Sequence, residues 1–498
     1  MSETRPAYLF AMKKWIYFLF IMTIVSFSGQ AQFGSFGVTD ARSLGMGNTY
    51  NATTYDLYAI GKNPGLFANK GGKHKVSIIF PNLTAQQYGI GQVLNTFDYY
   101  SENKLNSDGL ISLDEEKFRL AIDNNGLMFI DMLLGFFSAA YHPNERIGSF
   151  GFTMSDYMTG YMKLPDVILE INYGTEVPDG NFSFDEFSFK AWWIRSYAIS
   201  YSRYVYKDEN IYRSKPGLIR NISAGITSKY VMTYAYTDIG LSANVNYSTA
   251  TQTLSGNYQA HAIYSFSEDL EIANTFHQGN NDPPPGFMKL KPAGKGFGFD
   301  IGAGAELRKG WILGLAITDL GSINWTGSAK TADFEGYIDI SGVIDNETID
   351  SISHDIKLVK ETRKDFRTPM PTTLRLGVAL EFEKMINRFP GELMVGFDYN
   401  QGLNDQPSNY LASRFSIGFQ YRYKPKWPIL IGGYSYDLLD IGRGAIGLGY
   451  DTWFVDVYVS TIDIFSIVSG GPRFSASLVA RWKIFSGIGK KRAPECYE

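Results

Sequence analysis

One cysteine occurs in 498 residues, Cys496 near the C-terminal end. The sequence therefore makes no internal disulfide and offers no cysteine-based metal site. An excess of one charge is lacking too: 46 Lys and Arg stand against 50 Asp and Glu, a net charge of -4. No basic surplus points to nucleic acid. The five histidines, His74, His142, His261, His277 and His354, fall at no metal-ligand spacing. His-Glu-x-x-His, the Gly-x-Ser-x-Gly elbow and the P-loop are all missing, so no enzyme class, metal or cofactor is indicated. Gly302-Ala303-Gly304 lacks the third glycine of a dinucleotide fingerprint and lies in a strand-like run. "KLNSDGLISLDE", Lys104–Glu115, partly fits a calcium loop, but Lys104 stands where the first carboxylate is required. It reads as a solvated turn into a short helix, Ser112–Ile122, with Ser112 as N-cap and Glu115 completing a capping box. After Gln32 no apolar run approaches the roughly eighteen residues of a membrane-spanning helix.

What is present is aromatic residues and glycine, in alternation. Aromatics make up 15% of the chain, glycines number 51, and mean hydropathy is -0.15. "RFSASLVARWKIF" sets Phe474, Ala476, Leu478, Ala480, Trp482 and Ile484 on one face and Arg473, Ser475, Ser477, Arg481 and Lys483 on the other. Val479 is the one apolar interruption of the polar face. "RFSIGFQYRYK", "PTTLRLGVALEF" and "GFGFDIGAGAEL" alternate in the same way, as does "ELMVGFDYN" with Met394 as its exception. Further candidate strands are 75–81, 128–142, 146–156, 189–206, 219–236, 256–266, 311–318, 429–438, 445–450 and 453–461. About fourteen strands of about ten residues match the length a tilted membrane strand needs. Aromatics near strand ends, Tyr421, Tyr423, Trp453, Trp482, Trp192 and Trp193, suit interfacial girdles. Connections alternate between short links (144–147 and 424–428) and long polar stretches (94–127, 157–188, 267–295 and 318–372). That asymmetry is expected of tight periplasmic turns and long outer loops. The pattern predicts an all-β fold, a transmembrane antiparallel barrel with its apolar face on lipid.

At the N-terminus, Met12, Lys13 and Lys14 precede an apolar run, Trp15–Phe27, and small residues before Gln32. This reads as a secretory signal peptide behind an upstream extension, together residues 1–31, and implies export. The division that follows is 32–72 as an N-terminal segment, 73–485 as the barrel and 486–498 as a periplasmic tail.

"TDARSLGMGNTYNATTYDLYAIGKNPGLFA", Thr39–Ala68, resembles the N-terminal region of FadL-type barrels, the long-chain fatty acid transporter family. PorV-like outer-membrane proteins of the Bacteroidetes type IX secretion system share it. The matching residues are Ala41-Arg42, Leu44-Gly45-Met46-Gly47, Ala52, Asp56, Tyr58-Ala59 and Asn63-Pro64-Gly65, where the family usually has Asn-Pro-Ala. A second match is Pro369, Pro371, Arg375 and Gly377. The resemblance implies a barrel of fourteen strands with residues 32–72 as a lumen plug. It implies passive uptake of hydrophobic small molecules through the outer membrane, gated at Gly45, Gly47, Asn63, Pro64 and Gly65. The alternative it carries is a PorV-like scaffold for secretion or outer-membrane assembly proteins. The expected partners are outer-membrane lipid, an apolar ligand or such proteins. From the strand pattern, Arg375, Glu381, Asp398, Arg422 and Arg481 are expected to form a polar network in the lumen.

Overall fold

The computed structural model describes residues 39–88, 127–163, 180–208, 218–248, 253–270, 289–341, 357–407, 409, 411, 413–437, 442–469, 471 and 473–485. The expected signal peptide, calcium-like loop, Ser112–Ile122 helix and C-terminal tail lie outside these residues. Among the described residues eighteen strands occur: β1 (Val76–Tyr88), β2 (Leu127–Asn144), β3 (Gly148–Lys163), β4 (Gly180–Lys207), β5 (Ile219–Ser248), β6 (Thr253–Phe266), β7 (Gly294–Leu307), β8 (Trp311–Trp325), β9 (Lys330–Ser341), β10 (Lys357–Arg363), β11 (Phe366–Pro369), β12 (Thr373–Glu381), β13 (Glu392–Gly402), β14 (Ser413–Arg422), β15 (Ile429–Asp437), β16 (Gly442–Asp451), β17 (Val455–Thr461) and β18 (Arg473–Ile484).

Fourteen of them close an antiparallel barrel. β1 to β5 follow in order, then β7, β8 and β12 to β18. β18 pairs back onto β1, so the wall has no free edge. The other four strands extend the wall on the side of the long connections. The far half of β5 pairs with β6, β6 with β9, and β9 with β10, while β11 adds to the end of β8. At 28 and 30 residues, β4 and β5 far exceed the roughly ten needed to cross a bilayer. The expected loop over 318–372 is therefore largely β-structured, as are 157–163 and 180–188 of the expected loop over 157–188, and 256–266 belongs to the extension and not to the closed wall.

Alternation sorts the two faces as the pattern predicts. Phe297, Ile301, Phe397, Ile417, Leu448 and Trp482 point outward, between 41% and 62% exposed, while their neighbours Asp300, Asp398, Ser416 and Arg481 are buried. A band of exposed large apolar side chains around a closed wall is a surface made for hydrocarbon. Trp427 and Trp453, at the short-turn end, are exposed as girdle residues would be. Trp192 is not one of them: it is 2% exposed and packs with Tyr236, Ile323, Trp325 and Met370 where β5 changes partner from β7 to β6.

Because Ile417 lies mid-strand on the outward face, Ile417→Arg should destabilise the barrel in lipid vesicles by about 2–4 kcal/mol. Denaturant titration in vesicles reads this directly, and unchanged stability would contradict a lipid-facing position.

Candidate functional site

Inside the barrel lies the chain's own N-terminal stretch. Residues 39 to 54 are all buried, and those from 55 to 69 almost all. The stretch begins with a short helix, Ala41–Gly45, capped by Asp40, whose carboxylate accepts from the Ser43 backbone N–H at 3.1 Å. Lys62 donates to the Asp40 carboxylate and, at 2.6 Å, to Ser43 Oγ, bracing the stretch internally. Asn63 caps the 3-10 turn Pro64–Ala68 by accepting from the Gly65 N–H at 3.1 Å.

The wall receives this stretch on small residues. A Cβ on Gly418 would stand 2.2 Å from the Met46 carbonyl oxygen, and one on Gly314 1.9 Å from that of Asn51. Gly225, Gly302 and Gly304 meet Asn63, Pro64 and Leu66 in the same way. Gly47 has φ +65 and its Cα abuts the Tyr434 backbone, so glycine is required there on both counts. Gly45 packs on Ser460, and Gly65 on the backbone of Ala303. Asn63 donates to the carbonyls of Asn51 and Ala303 at 2.9 and 3.1 Å, and Ser202 donates to that of Gly65 at 3.1 Å.

Two carboxylates hold the stretch more strongly. Asp398 of β13 accepts the backbone N–H groups of Tyr50 and Asn51 at 2.6 and 2.7 Å. Arg414 donates to the Tyr50 hydroxyl at 2.8 Å, and the guanidinium groups of Arg375 and Arg414 lie 5.3 and 5.7 Å from the Tyr50 ring. Asp56, on the stretch itself, accepts from Ser77 (2.8 Å), His142 (2.9 Å), His74 (3.0 Å) and Arg481 (2.7 Å). Burial pushes the Asp56 carboxyl up, but the bonds from His142 and His74 and the Arg481 charge outweigh it and hold the group well below the usual carboxylate range. Asp56 adopts φ +49, a left-handed conformation that an aspartate tolerates better than most residues.

The five residues expected to form one lumen network fall into three places, two of which are linked: Lys483 bridges Asp456, a partner of Arg481, to Asp451, a partner of Arg422, at 2.7 and 2.5 Å. Arg375 and Asp398 share the Tyr50 site with Arg414. Arg481 belongs to the Asp56 site and also pairs with Asp456 at 2.5 Å. Arg422 and Glu381 sit at the short-turn end, bound to Glu392 and Asp451, and to Lys384, respectively. His74, His142, Asp456, Lys62 and Arg414 are site residues that sequence reasoning did not select. Their spacing carries no signal, since they come from separate segments: the interior stretch, the link into β1, β2, β14 and β17.

Comparison with known proteins gives the following. The model of a family of unknown function, DUF5723, matches residues 64–461. No curated protein matches the chain by sequence. Among solved structures, the chain is similar to the Pseudomonas putida toluene transporter TodX, at 12% identity over 91% of this chain and 99% of that one, TM-score 0.42. It is similar to a TodX deltaS2S3 mutant monoaromatic hydrocarbon channel, at 13% identity over 91% and 99%, TM-score 0.45. The CymD monoaromatic hydrocarbon channel is similar at 11% identity over 90% and 98%, TM-score 0.42.

Asp398→Ala removes the acceptor of two buried backbone N–H groups and the counter-charge of two arginines, a change of the kind that costs about 3–5 kcal/mol. The segment around Tyr50 and Asn51 should then become accessible to limited proteolysis, while the Asp56 anchor holds and the barrel keeps its heat-modifiable migration in gels. A variant as protected as wild type would show that Asp398 does not hold the stretch.

Proposed function

The chain belongs to DUF5723, a family of unknown function, and on that premise we propose a role from its own geometry: passive uptake of hydrophobic small molecules through an outer-membrane barrel. The observation that carries this reading is the lumen itself. A membrane-type wall encloses a separate stretch of chain, seated by hydrogen bonds and glycine contacts and not by strand pairing. Such a stretch is a removable plug, and Gly45, Gly47, Asn63, Pro64 and Gly65 are its gate. Export by the N-terminal signal puts the barrel in the outer membrane of a bacterium, where barrels are the spanning fold.

A sideways exit has support beside the plug. The pairing of β1 with β18 shifts register between Ile79 and Asn82. A cavity of about 60 Å³, lined by Leu57, Tyr58, Lys62, Ile79, Asn82 and Tyr157, lies against that irregularity. An apolar molecule entering from the long-loop side would leave there, between plug and wall. No catalytic chemistry is required, and the protein acts as a channel and not as an enzyme.

A second reading, a scaffold for secretion or assembly proteins, draws on the extension. β5, β6, β9 and β10 form a sheet beyond the wall, with a groove of about 500 Å³ lined by Phe187, Leu241, His261, Asp333, Phe334 and Val359. Purification in mild detergent separates the two: stoichiometric co-purifying proteins favour the scaffold.

Cells lacking the protein should take up a labelled long-chain amphiphile more slowly, and expression of the wild-type chain should restore the rate. Equal uptake with and without the protein would remove the transporter reading.

A further inference from the structure

We propose that Asp56, His74 and His142 form a binding site for a divalent transition metal of the zinc class. The proposal goes beyond uptake and does not depend on it. One ligand atom from each residue lies within 4.8 Å of the others. His74 Nε2 and His142 Nε2 approach the two oxygens of the Asp56 carboxylate at 3.0 and 2.9 Å. Ligand atoms in a tetrahedral zinc site, with bonds of about 2.0–2.1 Å, stand roughly 3.3 Å apart. Admitting an ion therefore asks for small movements only.

The donor set decides which ion. Two imidazoles and one carboxylate suit zinc and its first-row neighbours, and leave a fourth position for water. Calcium and magnesium prefer oxygen ligands alone. The surroundings supply an outer partner for one imidazole, His142, whereas the buried Nδ1 of His74 has none. Ser149 Oγ lies 2.7 Å from His142 Nδ1 and fixes that ring. A narrow crevice at the short-turn end, lined by Ala68, Lys70, Asn144 and Ser149, touches one of the ligands, His142. Arg481 is the opposing term, because its charge lies 2.7 Å from Asp56. Its guanidinium also donates twice to Asp456, at 2.9 and 2.5 Å, so it stays neutralised there when Asp56 turns to an ion.

The three ligands come from three pieces of chain: the interior stretch, the link into β1, and the end of β2. A bound ion would tie the stretch to the wall at the barrel's closing seam.

The test uses the full chain in detergent, untagged and stripped by a chelator. His261 is replaced by Ala throughout, because its exposed pair with Asp333 at 2.6 Å is a competing surface site. Calorimetric titration with Zn²⁺ should give one ion per chain, and Co²⁺ should give the visible absorption bands of a four-coordinate site. His74→Gln and His142→Gln should each abolish the bands. Ser149→Ala, which keeps every ligand, should weaken Zn²⁺ binding about 10-fold. Heat-modifiable migration confirms that each variant is a folded barrel. The proposal is overturned if the wild-type ligand set takes up no Zn²⁺, or if folded His74→Gln/His142→Gln protein binds Zn²⁺ as tightly.

Discussion

Asp56 is the point at which the molecule closes. Its carboxylate accepts from Ser77 of β1, His142 of β2 and Arg481 of β18, the strands on both sides of the seam where the last strand meets the first. Arg481 lies 425 positions away in sequence. The bond can form only when the whole wall has been laid down. A buried carboxylate left with fewer partners would be costly, and a buried Arg481 without one would be costly as well. Closure of the wall and seating of the interior stretch are thus one event energetically. Each leaves charged groups unsatisfied without the other.

The same constraint explains the composition of the inner face. A barrel of fourteen strands encloses more room than its own inward side chains fill when many of those are glycine. The interior stretch occupies that room, and its backbone polar groups, cut off from water, must find partners. The wall provides them from side chains: Asp398 for Tyr50 and Asn51, Ser460 for the Ala41 carbonyl at 2.6 Å, Thr84 for that of Thr39 at 2.8 Å. Glycine allows the approach and polar residues finish it. Outside, the requirement is reversed, and large apolar groups face a solvent with no hydrogen bonds to offer.

Much of this was legible in the alternation. Period 2 with one lipid-type face located nearly every wall strand, and the polar face was read correctly as the interior of a barrel. The two exceptions in the pattern were informative in hindsight. Val479 and Met394, apolar on a polar face, pack into the core that the interior stretch makes with the wall. Other features were hidden for physical reasons. β9 to β11 carry charged and small residues, because the extension faces water, and so looked like loop. Trp192 sits in an aromatic run that suits a girdle, but its burial depends on β5 changing partner, which is a tertiary event. The expected lumen network is continuous from Arg422 through Asp451, Lys483 and Asp456 to Arg481, while Arg375 and Asp398 stand apart, because alternation tells which face a residue takes and not its height in the barrel. The Asp56 site was out of reach, since its histidines belong to different segments and no spacing links them.

The interior stretch is not held evenly, and this bears on the proposed gate. At Asp56 and Asp398 it is fixed by charge-assisted hydrogen bonds, the stronger class. Between Asn63 and Ala68 the wall offers two neutral bonds: Asn63 to the Ala303 carbonyl and Ser202 to that of Gly65. Neutral bonds of this kind contribute about 1 kcal/mol each. The rest of that turn's seating is close contact with Gly225, Gly302 and Gly304 and burial of Leu66 and Phe67, with the Phe67 ring against Gly151 and the His142 ring. Lifting the turn breaks no charge-assisted bond, but it exposes Leu66 and Phe67, at about 1.5–3 kcal/mol for each side chain. Lifting the turn leaves the Asp56 anchor in place, since none of its bonds involves residues 63–68. The turn and the Asp56 anchor are adjacent in sequence but held differently, the one by apolar burial and neutral bonds, the other by charge-assisted bonds.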